Sequence, residues 1–105
     1  MAVELVNDSD FESKLKENNK VVVKYYADWC GSCRLFAPKF KRLSSDPRFE
    51  GTVFLDVNAE TSPLARKIAG VTTLPYFGVF KDGKLVDSIS SSKEEAVVEL
   101  IQKLN

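Results

Sequence analysis

Histidine is absent from the 105 residues of this chain. Catalytic groups that pair a serine or a cysteine with histidine are therefore excluded, and so are metal sites built on imidazole. An excess of one charge is also absent, because 15 Lys and Arg residues balance 15 Asp and Glu residues. A formal net charge of zero argues against binding to nucleic acid or to a membrane surface, since both usually require a basic excess.

Long apolar runs are missing as well. The longest, such as residues 21–23, extend over a few positions, so we expect no segment that spans a bilayer. The N-terminal region carries Glu4 and Asp8 where a signal peptide would have basic and then apolar residues. We therefore predict no signal peptide and a cytoplasmic location.

The hydrophobic content is sufficient for one modest core. Hydrophobic residues make up 44% of the chain, and two domains of half this length would each be too small to fold unaided. We predict a single domain over residues 1–105, acting as a monomer.

Cysteine is scarce, and its two occurrences lie close together. Cys30 and Cys33 are three positions apart, so a disulfide between them would staple very little of the chain. Two cysteines without histidine cannot complete a four-coordinate zinc site in one chain. A dimer that shares four cysteines around a metal, or a pair of inert cysteines, remains an alternative to local redox chemistry.

The hydrophobic pattern alternates between strand and helix periods. It predicts strands at 3–6, 21–27, 52–58, 76–80 and 85–89, and helices after residue 9, at 31–44, after Pro63 and after residue 92. This order predicts an α/β fold whose central sheet is mostly parallel, with an antiparallel edge hairpin and flanking helices. Capping boxes are expected at Ser9–Glu12 and Ser92–Glu95.

The segment Cys30-Gly31-Ser32-Cys33 falls where the predicted central strand ends and a helix begins. The free amides and the dipole of a helix N-terminus favour an anion, so Cys30 is expected to be a stabilised thiolate. Gly31 and Ser32 are small enough to let the backbone of a partner approach. Cys30 can then attack a disulfide of another protein, and Cys33 can resolve the mixed disulfide.

Three further segments make this arrangement familiar. The sequence ADWCGSCR at 27–34, followed by Ala37-Pro38, closely resembles the active site of the thioredoxin family. The likeness continues through GVTTLP at 70–75 and FKDG at 80–83, and it covers essentially the whole chain. A thioredoxin-like fold is therefore expected.

The resemblance also implies roles for individual residues. Cys30 would be the nucleophile, Cys33 the resolving thiol, and Pro75 a cis-proline that faces the disulfide. Trp29 would shield the site, and the substrate chain would contact Trp29 and the backbone of Thr73, Leu74 and Pro75. Protein disulfides would be the substrates, a thioredoxin reductase would supply electrons, and no bound cofactor is implied.

The sequence departs from the family pattern beneath the predicted site. Lys24 stands where thioredoxins bury an aspartate, and Phe54 stands at the position of the lysine that usually accompanies it. Asp56 shares the strand parity of Phe54, so we predict that it pairs with Lys24 as a charge or proton relay. Alternatively, Lys24 extends to solvent without a role, and Asp28 is a second candidate proton group.

Two more departures involve serine. Ser32 replaces the proline usually found between the two cysteines, which can alter the redox potential. Ser90-Ser91-Ser92 stands where thioredoxins carry a glycine at the rim of the substrate groove, so Ser90 or Ser91 is expected to narrow the groove.

Taken together, these features predict a thiol–disulfide oxidoreductase that reduces protein disulfides. Two alternatives stay open at this point: a disulfide oxidase or isomerase that works at a higher potential, and a binding module that uses the groove without turnover.

Overall fold

The computed structural model describes residues 2–105. Its elements follow the predicted order, with one additional short 3-10 helix. They are β1 (Val3–Val6), α1 (Phe11–Glu17), β2 (Lys20–Tyr26), α2 (Gly31–Ser44), the 3-10 helix (Pro47–Phe49), β3 (Val53–Asn58), α3 (Pro63–Ala69), β4 (Tyr76–Lys81), β5 (Lys84–Ser90) and α4 (Glu94–Gln102).

The five strands form one sheet in the order β1-β3-β2-β4-β5. Strands β1, β3 and β2 are mutually parallel, whereas β4 runs antiparallel to both β2 and β5. The β4–β5 connection is the expected hairpin, in which Asp82 and Gly83 both adopt positive φ angles of 52° and 83°. The predicted α/β fold is confirmed.

Strand alternation divides the core between the two faces of the sheet. In β2, Val21, Val23 and Tyr25 pack on the face covered by α1 and α3, while Val22 packs on the face covered by α2 and α4. Several phenylalanines are fully buried in this core, among them Phe11, Phe40, Phe54, Phe77 and Phe80. The central strand β2 is therefore covered on both faces, and its carboxyl end leads directly into the predicted site.

Both predicted capping boxes are wrong. Helix α1 has Asp10 as its N-cap residue and α4 has Lys93, and neither side chain accepts a hydrogen bond from an amide of its helix. The Ser9 hydroxyl donates instead to Asn7 Oδ1 at 2.5 Å. Ser92 lies one residue before the cap of α4 and does not have the capping role expected of it.

No helix among residues 2–105 combines the length and the hydropathy needed to cross a membrane.

Candidate active site

Cys30 and Cys33 lie at the junction of β2 and α2, as the sequence predicts. Cys30 is the N-cap residue of α2, and its sulfur accepts a hydrogen bond from the amide of Cys33 at 3.2 Å. The two cysteines are joined as a disulfide, with their Cα atoms 5.3 Å apart. A sulfur in this position receives a backbone donor and the positive end of the helix dipole, and both favour its thiolate form when the bond is reduced.

The two cysteines differ less in solvent exposure than expected. A cysteine at the start of a helix is expected to be more exposed than one three residues later, yet Cys30 is 5% exposed and Cys33 is 2% exposed. Both are buried because they form a small apolar cluster with Ala27, against which Tyr26 and Leu74 pack. The two sulfurs differ instead in hydrogen bonding, because Cys30 is the N-cap residue and its sulfur accepts the Cys33 amide.

The two residues between the cysteines are exposed. The Ser32 hydroxyl lies 3.6 Å from Cys30 Sγ, within hydrogen-bonding reach of the sulfur. A Cβ atom added at Gly31 would meet no other part of the protein within 4 Å, so open space lies at Gly31, next to Cys30 in the chain. This space is available to the backbone of a partner.

Trp29 is a surface residue that one polar contact holds in place. Its side chain is 65% exposed, and Nε1 donates to Glu60 Oε2 at 2.7 Å. Glu60 follows β3, so this bond connects the loop before α2 with the loop before α3. Trp29 thus presents an aromatic surface next to Cys30.

The segment from Thr73 to Pro75 also borders the cysteines, through Leu74. The Leu74–Pro75 peptide bond is cis, as the resemblance implies. Leu74 packs against the apolar cluster that contains both cysteines, while Thr73 is exposed. The Thr73 hydroxyl lies 2.6 Å from the hydroxyl of Ser90 at the end of β5.

Beneath the disulfide, Lys24 and Asp56 lie directly opposite each other in the β2–β3 ladder. Lys24 Nζ lies 3.5 Å from Asp56 Oδ1, and the exposed fractions of their side chains are 4% and 27%. Phe54 lies opposite Val22, so Phe54 is not the residue that faces Lys24. The lysine does not extend to solvent.

A cleft of about 150 Å³ extends from the Lys24–Asp56 pair to Cys33, the predicted resolving cysteine. It is lined by Lys24, Tyr26, Cys33, Arg34, Ala37 and Asp56. Asp56 Oδ1 is buried and has no hydrogen-bond donor within bonding geometry among the described residues. Oδ1 therefore contacts the Lys24 ammonium without a second donor from residues 2–105.

Burial is the main influence on the acidic groups of this cleft. It raises the pKa of the Asp56 carboxyl above its ordinary value, and the ammonium of Lys24 opposes this rise. Burial also raises the pKa of the Tyr26 phenol, and the negative charge of Asp56 adds to that effect. Asp28, the other candidate proton group, is exposed, and its carbonyl accepts from the Arg34 guanidinium at 2.8 Å.

Glu60 and Arg34 belong to the site but were missed in the sequence. Glu60 anchors Trp29, and Arg34 borders the cleft while bonding to the Asp28 carbonyl. No local pattern marks Glu60, since it bonds to a residue 31 positions away. Within residues 2–105, no group of three or more His, Cys, Asp or Glu side chains is placed to hold a metal ion.

Known proteins resemble this chain over most of its length. The family model described as Thioredoxin matches residues 2–103. The chain is similar to the H-type thioredoxin of Chlamydomonas reinhardtii, with 33% identity over 97 residues that cover 91% of this chain and 84% of the relative. It is also similar to a peptide-N(4)-(N-acetyl-beta-glucosaminyl)asparagine amidase of Caenorhabditis briggsae, with 37% identity over 93 residues. That match covers 86% of this chain and spans 15% of the amidase.

Among solved structures, a chain in a crystal structure of ferredoxin:thioredoxin reductase in complex with thioredoxin f2 has a similar fold. The TM-score is 0.89 at 28% identity, and the alignment covers 97% of this chain and 94% of the other. The fold expected from the resemblance is thereby confirmed.

Proposed function

Because the chain belongs to the thioredoxin family, we propose that it reduces protein disulfides by dithiol exchange at Cys30 and Cys33. The observation that carries this proposal is the disulfide at the N-terminus of α2, bordered by the cis Leu74–Pro75 segment. Residues 1–105 act as one catalytic domain.

The first step is nucleophilic attack by Cys30. In the reduced protein, the Cys33 amide and the helix dipole stabilise the Cys30 thiolate. The thiolate attacks one sulfur of the substrate disulfide, forms a bond with it, and expels the other sulfur as a thiolate. Trp29 and the backbone of Thr73, Leu74 and Pro75 hold the substrate chain during this attack.

The second step is resolution by Cys33. Cys33 loses its proton and attacks Cys30 Sγ, which forms the Cys30–Cys33 disulfide and releases the second substrate thiol. Two electrons pass from the dithiol to the substrate, and two protons end on the substrate thiols. The cysteine pair carries the electrons itself, so no bound cofactor is required.

Asp56 is the group we assign to accept the Cys33 proton. It lines the same cleft as Cys33, and its buried Oδ1 lacks another donor among the described residues. Lys24 holds this carboxylate in position from the neighbouring strand. Lys24→Met and Asp56→Asn should therefore slow the resolving step and leave the first attack nearly unchanged.

Stopped-flow measurement of mixed-disulfide formation and decay over a range of pH separates the two steps. Lys41→Met, on the exposed side of α2, serves as the charge-matched control. Equal resolving rates in Asp56→Asn and in the unaltered protein, at every pH, would remove Asp56 from the proton step.

A reductase partner regenerates the dithiol. The structurally similar chain is found with a ferredoxin:thioredoxin reductase, which supports a thioredoxin reductase as the electron donor here. We place the activity in the cytoplasm, where thiols are kept reduced, and assign a monomer that acts on proteins rather than on nucleic acid or membranes. The zero net charge supports the latter assignment.

Insulin-disulfide reduction tests this function. The protein should accelerate insulin reduction by dithiothreitol, and it should do so with NADPH when a suitable reductase is added. Cys30→Ser is the matched control, since it removes the attacking sulfur alone. The proposal fails if the unaltered protein reduces insulin no faster than Cys30→Ser, while equilibration with glutathione distinguishes a reductant from a higher-potential oxidase.

A further inference from the structure

Two hydroxyl groups meet at the rim of the site, and each comes from a different part of the chain. Thr73 Oγ1 and Ser90 Oγ lie 2.6 Å apart, which is a normal distance for a hydrogen bond between hydroxyls. Ser90 also lies opposite Tyr76 in the β4–β5 ladder, so the end of β5 runs beside the segment that carries Pro75. This hydroxyl pair is therefore fixed by both a backbone ladder and a side-chain bond.

The pair lies one residue from Leu74, which contacts the apolar cluster that contains the two cysteines. Leu74 packs against the cluster that contains Cys30 and Cys33, so a chain that delivers a disulfide to Cys30 passes next to residues 73–75. Thr73 and Ser90 are both exposed. Their hydroxyls thus remain accessible to a chain that lies along this rim.

The chemistry of the pair favours a polar neighbour. One hydroxyl of the pair donates its O–H to the other oxygen. This leaves one O–H donor and several lone pairs for another molecule. A hydrogen-bonding side chain beside the reacting cysteine can use these groups. A bulky apolar side chain would instead separate them from water without replacing those bonds, which is unfavourable.

We infer that Ser90 is a specificity-determining residue, which together with Thr73 selects protein disulfides whose reacting cysteine has small polar neighbours. This inference rests on the proposed reductase function and adds the substrate preference of that same site. Because one neutral hydrogen bond is involved, removing a hydroxyl should change the preference by about three- to tenfold.

Two disulfide-linked peptide dimers provide the test. One is the dimer of Gly-Ser-Cys-Ser-Gly and the other is the dimer of Gly-Leu-Cys-Leu-Gly. The second-order rate constant for reduction of each dimer by the pre-reduced protein gives a preference ratio. The unaltered protein should prefer the serine peptide, and Ser90→Ala should lower that ratio about threefold or more. Thr73→Val, which keeps the side-chain shape and removes the hydroxyl, should lower it similarly, whereas Thr73→Ser should preserve it.

Ser88→Ala is the matched control, because Ser88 lies two residues earlier on β5 and its hydroxyl bonds to Tyr76 OH at 2.7 Å. It should retain the preference of the unaltered protein. An unchanged ratio in both Ser90→Ala and Thr73→Val, or an equal loss in Ser88→Ala, would overturn the inference. Failure of the unaltered protein to reduce either peptide or insulin would count against the proposed function instead.

Discussion

Lys24 and Asp56 form an ion pair across the two central parallel strands, with Nζ 3.5 Å from Oδ1 at opposed positions of the ladder. Strand alternation directs Lys24 toward the face covered by α2, where the residue is 3% exposed. The rings of Phe40 and Tyr26 lie 5.5 and 5.8 Å from its ammonium and add a favourable cation–π contribution. A lysine is accommodated in the central strand because all three groups surround its charge.

A double-mutant cycle should show that the Lys24–Asp56 pair is coupled. We expect an interaction energy of about 1–3 kcal/mol between the two side chains, because Asp56→Asn leaves the buried ammonium without a charged partner and Lys24→Met leaves the buried carboxylate without one. The double variant should be more stable than the sum of the single effects indicates, and additive values in urea unfolding would show that no coupling exists.

The stability contributed by Asp56 should fall as the pH rises. Burial raises the pKa of its carboxyl in the folded state above the ordinary 3.8, so the folded protein holds this proton more tightly than the unfolded chain. The contribution is therefore complete below about pH 4 and is lost as the pH rises through the folded-state pKa. Lys24→Met removes the positive charge that opposes this rise in pKa. In that variant, the decline in unfolding free energy should therefore extend to higher pH.

Urea unfolding of Lys24→Met from about pH 3 to pH 8 measures this dependence, with the Lys24→Met/Asp56→Asn double variant as the reference. The difference in unfolding free energy between the two should decline with rising pH. A difference that is constant over this range would contradict the raised pKa.

The two cysteines should respond differently to replacement. Cys30→Ser should abolish disulfide reduction, whereas Cys33→Ser should accumulate mixed disulfides because attack proceeds without resolution. Alkylation of the reduced protein should modify Cys30 first, since its sulfur occupies the helix cap. Mass spectrometry after brief iodoacetamide treatment identifies the modified residue, and preferential labelling of Cys33 would reverse the assigned roles.

Ser32 should make the protein a weaker reductant than a proline at the same position would. Its hydroxyl lies 3.6 Å from Cys30 Sγ and can donate to the thiolate, which stabilises the reduced form. Ser32→Pro should therefore have a more negative reduction potential, by about 30 mV if the effect is about 1.4 kcal/mol. Redox titration against glutathione measures the shift; Ser32→Ala should move in the same direction, and a potential that stays constant in both variants would exclude the hydroxyl effect.

Asp8 should stabilise α3 from a distance. Its carboxylate accepts the amides of Leu64 and Ala65 at 3.0 and 2.9 Å, which satisfies donors in the first turn of that helix. Asp8→Ala is expected to lower the free energy of unfolding by about 1 kcal/mol. Thermal unfolding compared with the exposed control Glu12→Ala tests this role, and equal midpoints would refute it.

The secondary structure and the position of the cysteine pair could be predicted because the relevant patterns are local. The bounds of α2 follow from the helical spacing after Cys30, and the Asp82-Gly83 turn follows from residues that tolerate positive φ. The Lys24–Asp56 contact could also be predicted, since the two-residue period of a strand determines which face each side chain occupies.

The capping boxes were predicted wrongly because a serine hydroxyl can bond to other nearby groups. The sequence spacing of Ser9 and Glu12 suits a cap, but the Ser9 hydroxyl has an alternative partner in Asn7 Oδ1. Serine and asparagine side chains compete for nearby groups in several local conformations. Their spacing alone does not determine which hydrogen bond forms.

By itself, the sequence determined the order of the elements, the faces of the strands and the placement of Cys30 at the start of a helix. The tertiary structure decided which distant side chains meet: Trp29 with Glu60, Asp8 with the start of α3, and Thr73 with Ser90. Periodicity acts over neighbouring residues, whereas these contacts join positions 31, 57 and 17 residues apart. They exist because packing on the sheet brings separate loops to the same edge, and no local pattern records that arrangement.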